Sequence, residues 1–403
     1  MYKLALRNVI RQKSHTLMTL LAITSGVVGL ILAGGWMSDI FIQLGEALIH
    51  SQSGHIQVYK NGFYTEGSRA PERYLIMDPD EIKERIHRQP GIKNVMARLN
   101  FAGLLNNGLS DVGINGEGVE PGRENELGSS VSIIAGRQLI DSDTFGIMLG
   151  RGVAQALQLK PGDHVTLLAN TLDGALNSME FEVVGVFQSF SNDYDARAIR
   201  IPLASAQEFL ATKGVNALVI ALENTDNTYP TAARLKEQLG TAGLELKTWI
   251  ELNDFYEKTV ELYKGQFGVL QVIILVMVVL SVANTVNMSI FERMGEFGTM
   301  MALGNRGAQI FQLIAVESVL LGLIGSGLGL VIGATLAVAI SAVGIPMPPP
   351  PNANLGYTAH IQIEYPVLLM ACSVGTLATV LAALLPARHI ARTPVVEALR
   401  QNF

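Results

Sequence analysis

Residues 292–306 read ERMGEFGTMMALGNR and lie between two long apolar runs of the chain. Apolar side chains in and just before this stretch recur at helical spacing and form one stripe, which comprises Ile290, Met294, Phe297 and Met301. Gly304 and Asn305 follow as a C-cap. A short amphipathic helix between two membrane spans is expected to lie along the membrane surface, either as a plain linker or as the contact for a partner.

Four long segments almost free of Asp, Glu, Lys and Arg account for much of the chain: residues 16–38, 265–290, 307–343 and 366–387. Each is long enough to cross a hydrocarbon layer of about 30 Å. Only Glu317, in the third segment, interrupts them. The whole sequence is 49% hydrophobic and 16% charged, with a mean hydropathy of +0.32, whereas soluble proteins contain about 25% charged residues. The sequence therefore predicts a membrane protein with four spans.

The distribution of basic residues predicts the orientation of these spans. They cluster at the N-terminus, after the second span and in the tail: Lys3, Arg7, Arg11, Lys13, Arg293, Arg306, Arg388, Arg392 and Arg400. Residues 344–365, between spans three and four, contain no Lys or Arg. The positive-inside rule then places both termini and residues 292–306 in the cytoplasm and residues 39–264 outside. That outer segment holds 30 acidic and 20 basic residues, a net charge of −10, which argues against nucleic-acid binding.

The outer segment alternates strand-like and helix-like patterns, which predicts an α+β extracytoplasmic domain inserted between transmembrane helices one and two. Residues 106–130, rich in Gly, Asn and Glu, are expected to form turns or a mobile insert. In chain order the predicted parts are a cytoplasmic amphipathic helix (1–15), the first span (16–38), the outer domain (39–264) with a stalk helix (245–264), the second span (265–290), a cytoplasmic helix (291–306), the third span (307–343), a Pro-rich outer loop (344–365), the fourth span (366–387) and a cytoplasmic tail (388–403).

Small residues recur every four positions in the third span, at Gly325, Gly329, Gly333, Ala337 and Ser341. Such a face lets helix backbones approach closely in lipid, so we expect it to pack within the chain or against a second subunit. Ser25, Gly29 and Ala33 form a weaker version in the first span. In the loop that follows the third span, residues 345–351 (IPMPPPP) predict a stiff polyproline II spacer.

Signals for catalysis and metal binding are lacking in this sequence. It has no G-x-x-x-x-G-K-[ST], H-E-x-x-H, Cys-x-x-Cys or G-x-S-x-G pattern, and its seven histidines show no metal-ligand spacing. We therefore expect no catalytic residue, no metal site and no cofactor in this chain. Placing the ionised carboxylate of Glu317 within a span costs free energy, so we expect this side chain to snorkel or to form an ion pair near the cytoplasmic boundary. Because no second acidic residue lies within the spans, a structural or coupling role is favoured over ion translocation.

The stretch NTVNMSIFERMGEFGTMMALGNRGAQIFQLIAVESVLLGLIGSGLGLVIG resembles the core of the FtsX/MacB/LolC group of ABC transporter permeases, the type VII or mechanotransmission class. The matching positions are Asn284, Glu292, Arg293, Glu296, Gly298, Ala302, Leu303, Gly304 and Glu317. LALRNVIRQKSHTLMTLLAI and LPARHIARTPVVEALR resemble the N-terminus and tail of the family. Phe297, Met300, Met301 and Asn305 depart from its usual residues, which leaves the identity of a partner ATPase open.

The resemblance implies a permease subunit of the bacterial inner membrane that works as a dimer with the same or a homologous subunit. Two cytoplasmic ATPase subunits, which bind ATP and Mg, would drive it. Residues 292–306 would be the coupling helix at that contact, with Glu292, Arg293, Glu296, Gly298, Ala302, Leu303 and Gly304 as the coupling residues. The outer domain would be a MacB-type periplasmic core.

Three functions are compatible with this resemblance. The first is release of lipoproteins or extraction of a related lipid or amphiphile. The second is export of peptides or antibiotics with a periplasmic or outer-membrane partner, as in MacB-like permeases. The third is regulation of cell-wall hydrolases without transport, as in FtsX-like proteins, and the large outer domain counts against it.

Overall fold

The computed structural model describes residues 2–67, 71–127, 131–349 and 356–391. The end of the polyproline segment and the tail beyond residue 391, with Arg392 and Arg400, lie outside the described residues. The chain divides into two compact units. A helical unit comprises Met1–Phe41, Thr259–Pro346 and Thr358–Phe403, and a mixed unit comprises Ile42–Lys258 and Met347–Tyr357.

The described helices are α1 (Tyr2–Arg11), α2 (Lys13–Leu48), α3 (Phe63–Glu66), α4 (Pro79–His87), α5 (Pro121–Leu127), α6 (Arg151–Ala156), α7 (Asn192–Asp195), α8 (Leu203–Phe209), α9 (Thr228–Leu239), α10 (Asp254–Glu292), α11 (Met294–Ala302), α12 (Gly307–Val343) and α13 (Tyr365–Ala391). A π-helical turn, Ile49–Ser53, continues α2. Short 3₁₀ turns occur at Pro71–Tyr74, Thr225–Asn227 and Gly240–Ala242.

The described strands are β1 (Ile56–Lys60), β2 (Ile92–Asn106), β3 (Asp111–Val119), β4 (Ser132–Gly136), β5 (Gly146–Gly150), β6 (His164–Asn170), β7 (Leu176–Gln188), β8 (Ala198–Pro202), β9 (Ala217–Leu222), β10 (Leu244–Thr248), β11 (Ile345–Met347) and β12 (Tyr357–Ala359). The first ten form one sheet in the order β10-β1-β9-β2-β3-β8-β5-β7-β4, and β6 pairs with β2 and β7. β11 and β12 form a two-stranded sheet.

Among the described residues, four helices are long and apolar enough to cross a membrane: Lys13–Ser53, Tyr256–Glu292, Gly307–Val343 and Tyr365–Ile390. The four-helix prediction is thereby confirmed. The helices extend beyond the apolar segments, since the polar residues at their ends also form helical backbone hydrogen bonds. Within the helical unit, buried side chains from all four helices, among them Ile23, Val282, Leu313 and Ala378, form one apolar core.

The small-residue face of α12 packs against α2 within the same chain. A Cβ atom added at Gly329 would lie 2.7 Å from Val27 Cβ, and one at Gly333 would lie 2.9 Å from Ile31 Cδ1. Gly325 seats Ile23 in the same way. Of the two alternatives for this face, the structure shows packing within the chain. By contrast, a Cβ at Gly29 of the weaker stripe in α2 would meet no described atom within 4 Å.

The mixed unit is an α+β domain, as predicted, with helices packed on a largely antiparallel sheet. Two pairs in that sheet, β3–β8 and β5–β7, are parallel. Ile86 of α4 and Leu235 of α9 pack with strands near one end of the sheet order. Val153 of α6 and Phe209 of α8 pack with strands nearer the other end. Helices therefore cover each of these two apolar clusters of the sheet.

The prediction of turns or a mobile insert for residues 106–130 is wrong. The described part of this stretch contains β3, which pairs with β2 and β8, and helix α5. The glycines of β3 mislead because they serve close packing instead of flexibility. A Cβ at Gly116 would lie 2.2 Å from Phe101 Cζ, and one at Gly118 would lie 2.4 Å from Ala206 Cβ. Glycine in a strand often marks such an approach.

The predicted stalk helix over residues 245–264 is also wrong in its first part. Leu244–Thr248 is strand β10, which pairs antiparallel with β1, and α10 begins only at Asp254. Trp249 lies in the intervening turn, where its ring centroid is 4.7 Å from that of Tyr256. Pairing with a sheet edge thus overrides the helical spacing of the aromatic residues.

The packing of α12 on α2 generates a stability prediction. Gly329→Leu should lower the stability of the helical unit by about 1–3 kcal/mol, because the side chain collides with Val27. Gly327→Leu is the matched control, since a Cβ there would meet no described atom within 4 Å. Thermal unfolding of both purified variants in detergent measures the difference. Equal melting temperatures would contradict the packing described here.

Candidate functional site

The segment that joins α10 to α12 contains a helix that is shorter than the one predicted for residues 292–306. α10 runs to Glu292, α11 covers Met294–Ala302, and the chain then turns at Gly304, whose φ of +97° suits glycine at a helix C-terminus. Ile290, Met294 and Phe297 are buried in the apolar core of the helical unit. The apolar stripe therefore packs inward against other helices of the chain.

A buried ion pair connects the start of this segment to α12. Arg293 Nη1 lies 2.8 Å from Glu317 Oε2, and Arg293 Nη2 lies 3.2 Å from Glu317 Oε1. The two residues are only 5% and 9% exposed. The guanidinium also lies over the Phe297 ring, 4.9 Å from its centroid. Both oxygens of the carboxylate are thus engaged by one planar cation, the strong bidentate form of this contact.

The N-terminal helix supplies further polar contacts to the same place. Asn8 Nδ2 donates to Glu317 Oε1 at 2.7 Å, and Arg11 forms an ion pair with Glu296. Just beyond α1, Ser289 Oγ donates to Gln12 Oε1 at 2.7 Å, and His15 Nε2 lies 2.8 Å from Glu292 Oε2. Glu296 also accepts from Arg293 Nε at 3.4 Å. We name this set of contacts the polar clasp.

A small cavity of about 40 Å³ adjoins the polar clasp. Its lining is rich in hydroxyl and amide groups, including Gln12, Thr16, Thr285, Ser289 and Ser318. A cavity of this size with several polar partners is suited to a few ordered water molecules. The lining of this cavity therefore offers hydrogen-bond partners for water beside the polar clasp.

The structure divides the predicted coupling residues into two groups. Arg293 and Gly298 are buried, Glu296 contacts Arg11 of α1, and Glu292 contacts His15 at the start of α2. Ala302, Leu303 and Gly304 are exposed, and the Leu303 side chain is 82% accessible. Gly325, Gly329, Gly333 and Ala337 belong to the packing face on α12. The site thus has an inner part, the polar clasp, and an outer part at the end of α11.

Sequence reasoning missed the residues from the N-terminal helix. Asn8 and Glu317 are 309 positions apart, and Arg11 and Glu296 are 285 apart, so local spacing gives no signal for either contact. Glu317 itself was expected to pair near the cytoplasmic boundary, and it pairs with Arg293. Among the described residues, no group of three or more His, Cys, Asp or Glu side chains is placed to hold a metal ion.

Fold and site together define a multi-pass membrane protein with a periplasmic-type domain after its first helix. A family model for the MacB-like periplasmic core domain matches residues 16–238, and one for the FtsX-like permease C-terminal region matches residues 268–395. The chain therefore belongs to the ABC transporter permeases of the MacB/LolC/LolE/FtsX type, in agreement with the resemblance of its motifs.

Relatives support this membership at low identity. An uncharacterized ABC transporter permease of Methanocaldococcus jannaschii is 26% identical over 69% of this chain and 68% of its own length. The lipoprotein-releasing system transmembrane protein LolC of Neisseria meningitidis is 23% identical over 94% of this chain and 91% of its own. The macrolide export ATP-binding/permease protein MacB of Rhodopseudomonas palustris is 26% identical over 55% of this chain and 36% of its own.

The buried ion pair generates a second stability prediction. Glu317→Ala should cost about 3–5 kcal/mol, because it leaves the Arg293 charge buried without its counter-ion. Glu296→Ala should cost less than about 1 kcal/mol, because the Glu296 side chain is 40% exposed and its pairs are screened. Thermal unfolding in detergent compares the two variants.

A double variant tests whether the two charges of this pair compensate each other. Arg293→Met with Glu317→Leu replaces both charges by apolar groups of similar length, so most of the stability lost in Glu317→Ala should return. If the double variant were less stable than Glu317→Ala alone, the pair would not be a mutually compensating contact.

Proposed function

We propose that this chain is the permease subunit of an ATP-driven transporter and that a separate cytoplasmic ATPase docks on the outer part of the site. The observation that supports this most directly is the division of the site. Residues 302–306 are exposed at the end of α11, while the residues just before them are fixed into the helical core. An exposed apolar side chain such as Leu303, beside a rigidly held backbone, suits an anchor for a partner protein.

The polar clasp gives a physical route from that contact to several helices. A displacement of α11 pulls on α12 through Arg293 and Glu317, and on α1 through Asn8 and Arg11. One residue, Arg293, separates the end of α10 from the start of α11, so α10 should move with α11. Because the Arg293–Glu317 contact is buried and costly to break, α11 and α12 should shift together.

The remaining parts of the proposal follow the family. Both termini and α11 would face the cytoplasm of a bacterial cell, and the mixed domain would face the periplasm. Two ATPase subunits would bind ATP and Mg, and a second permease subunit, the same or homologous, would complete the transporter. The basic residues near α1, α11 and the end of α13 support this orientation.

The substrate we propose is a lipoprotein or a related lipid-anchored amphiphile. The match to LolC covers both chains almost from end to end, and that relative is named for lipoprotein release. The match to MacB covers only 36% of that relative, whose name includes an ATP-binding part. This sequence contains no P-loop motif that would correspond to such a part. Export of peptides or antibiotics is the second candidate, supported by the MacB-like core domain.

Reconstitution distinguishes these substrates. The permease with its ATPase would be placed in liposomes that carry a fluorescent lipoprotein, with a periplasmic acceptor protein outside. ATP-dependent transfer of the lipoprotein to the acceptor supports release. ATP hydrolysis stimulated by a peptide or macrolide, without lipoprotein transfer, supports export. ATP hydrolysis unaffected by either substrate, together with activation of a cell-wall hydrolase, would point to an FtsX-like regulator.

Docking on the outer part of the site generates a binding prediction. Leu303→Asp should weaken association with the ATPase by about tenfold or more, because it places a charge in an apolar contact. Folding should be unaffected, since the side chain is 82% exposed. Leu109→Asp is the control, because Leu109 is 94% exposed in the hairpin between β2 and β3 of the mixed unit. Equal co-purification of the ATPase with both variants would contradict docking at this place.

A further inference from the structure

The π-helical turn Ile49–Ser53 marks the point where α2 stops inside the mixed unit. Its geometry is fixed by Gly54, whose N–H donates to Ile49 O at 2.9 Å and whose φ is +62°. A Cβ on Gly54 would lie 2.3 Å from Val219 Cγ1, so only glycine fits against the sheet. π-helical turns are rare and often occur at functional sites.

Two buried arginines bind the carbonyl groups of this turn. Arg200 Nη2 donates to Ser51 O at 3.0 Å, and Arg98 Nη1 donates to Gln52 O. Both arginines also contact Glu124 of α5, with Arg98 Nε 3.1 Å from Glu124 Oε2. Burial raises the pKa of the Glu124 carboxyl, but the two arginine charges outweigh burial and bring the pKa below its usual value. Glu124 is therefore an anion that fixes α5 to the turn.

A chain of hydrogen bonds on the other side of the turn fixes the carboxylate of Glu46. The N–H of Leu222 donates to His55 Nδ1 at 3.2 Å, so the ring hydrogen of His55 is on Nε2. Nε2 then donates to Thr225 Oγ1 at 3.1 Å, and the Thr225 hydroxyl donates to Glu46 Oε1 at 2.6 Å. Burial lowers the pKa of His55 to about 4, which keeps this ring neutral. Glu46 Oε2 remains for one further partner.

That partner is His50, and both of its ring nitrogens face acceptors. Nδ1 lies 3.1 Å from the carbonyl oxygen of Leu127, which can only accept, so Nδ1 carries a hydrogen. Nε2 lies 3.1 Å from Glu46 Oε2. A neutral ring with its hydrogen on Nδ1 would direct the lone pair of Nε2 at a carboxylate oxygen. The geometry is favourable only when one additional proton lies between His50 and Glu46.

We propose that Glu46 and His50 form a proton-binding site that controls how firmly the π-helical turn is held in the mixed unit. Two other ionisable groups lie near His50. The His55 ring centroid is 5.8 Å away, and the positive charge of Lys93 of β2 has a small effect on His50. Loss of the proton turns the contact between Nε2 and Oε2 from attraction into repulsion. The ligand is a proton, and the proposal does not depend on what the protein transports.

The sign of the pH effect follows from this arrangement. The folded chain binds the proton through two fixed acceptors, whereas an unfolded histidine binds it with an ordinary pKa of about 6.5. The stabilisation is therefore complete below about pH 6.5 and is lost as the pH rises through the titration of the folded site. We expect the turn to be held most firmly in mildly acidic surroundings and to loosen in alkaline ones.

Nitrogen NMR of the full-length protein in detergent, with ¹⁵N-labelled histidine, tests the proposal. His50→Gln identifies the His50 signals by their absence. At pH 7 both ring nitrogens of His50 should carry hydrogen, and the titration midpoint should lie above that of an ordinary histidine. Glu46→Gln should return that midpoint to the ordinary range or below it. A midpoint at or below the ordinary range in the unmodified protein, or no change in Glu46→Gln, would overturn the site.

Thermal unfolding gives a second measurement that does not depend on signal assignment. Between pH 6.5 and 9 the unmodified protein should lose about 2–4 °C more in melting temperature than either Glu46→Gln or His50→Gln. His87→Gln is the control, because His87 is an exposed residue of α4, and its pH profile should match the unmodified protein. Identical pH profiles for the unmodified protein and Glu46→Gln would also overturn the proposal.

Discussion

The buried contact between Arg293 and Glu317 is the constraint on which the rest of the helical unit depends. An isolated carboxylate within an apolar span costs roughly 2.5–3.5 kcal/mol on insertion scales, and a buried guanidinium is similarly unfavourable. Each charge is therefore tolerated only where the other stands. This requirement fixes the register of α12 against the end of α10, turns the chain into α11, and brings α1 close enough for Asn8 to share the carboxylate.

The motif at residues 292–306 divides into an inner part that is packed within the chain and an outer part that is exposed. Charged residues at its start form contacts within the chain, and the small and apolar residues at its end are exposed. A family motif read as a single functional unit hides this distinction. The polar residues fix the start of α11 within the helical unit, while the turn after Ala302 is exposed.

The sequence was sufficient wherever a short-range pattern had one physical meaning. Length and missing charge located the spans, and the alternation of strand-like and helix-like patterns indicated an α+β outer domain. Prediction was wrong where one residue type serves two purposes: Gly116 reads as flexible but makes room for the Phe101 ring. The aromatic spacing around Trp249 likewise suggested a helix where sheet pairing prevailed. Contacts such as Asn8 with Glu317 join distant parts of the chain, so no local pattern contains them.

The glycine face of α12 has a consequence for how such chains associate. Ile23, Val27 and Ile31 already occupy the hollows that Gly325, Gly329 and Gly333 create, so this ridge is not available to a neighbouring molecule. Side chains of α10 such as Val272, Met277 and Leu280 are, by contrast, exposed in this chain and remain open to lipid or to another molecule. The glycines of α12 thus serve the cohesion of a single chain, because they bring the backbone of one spanning helix against the branched side chains of another.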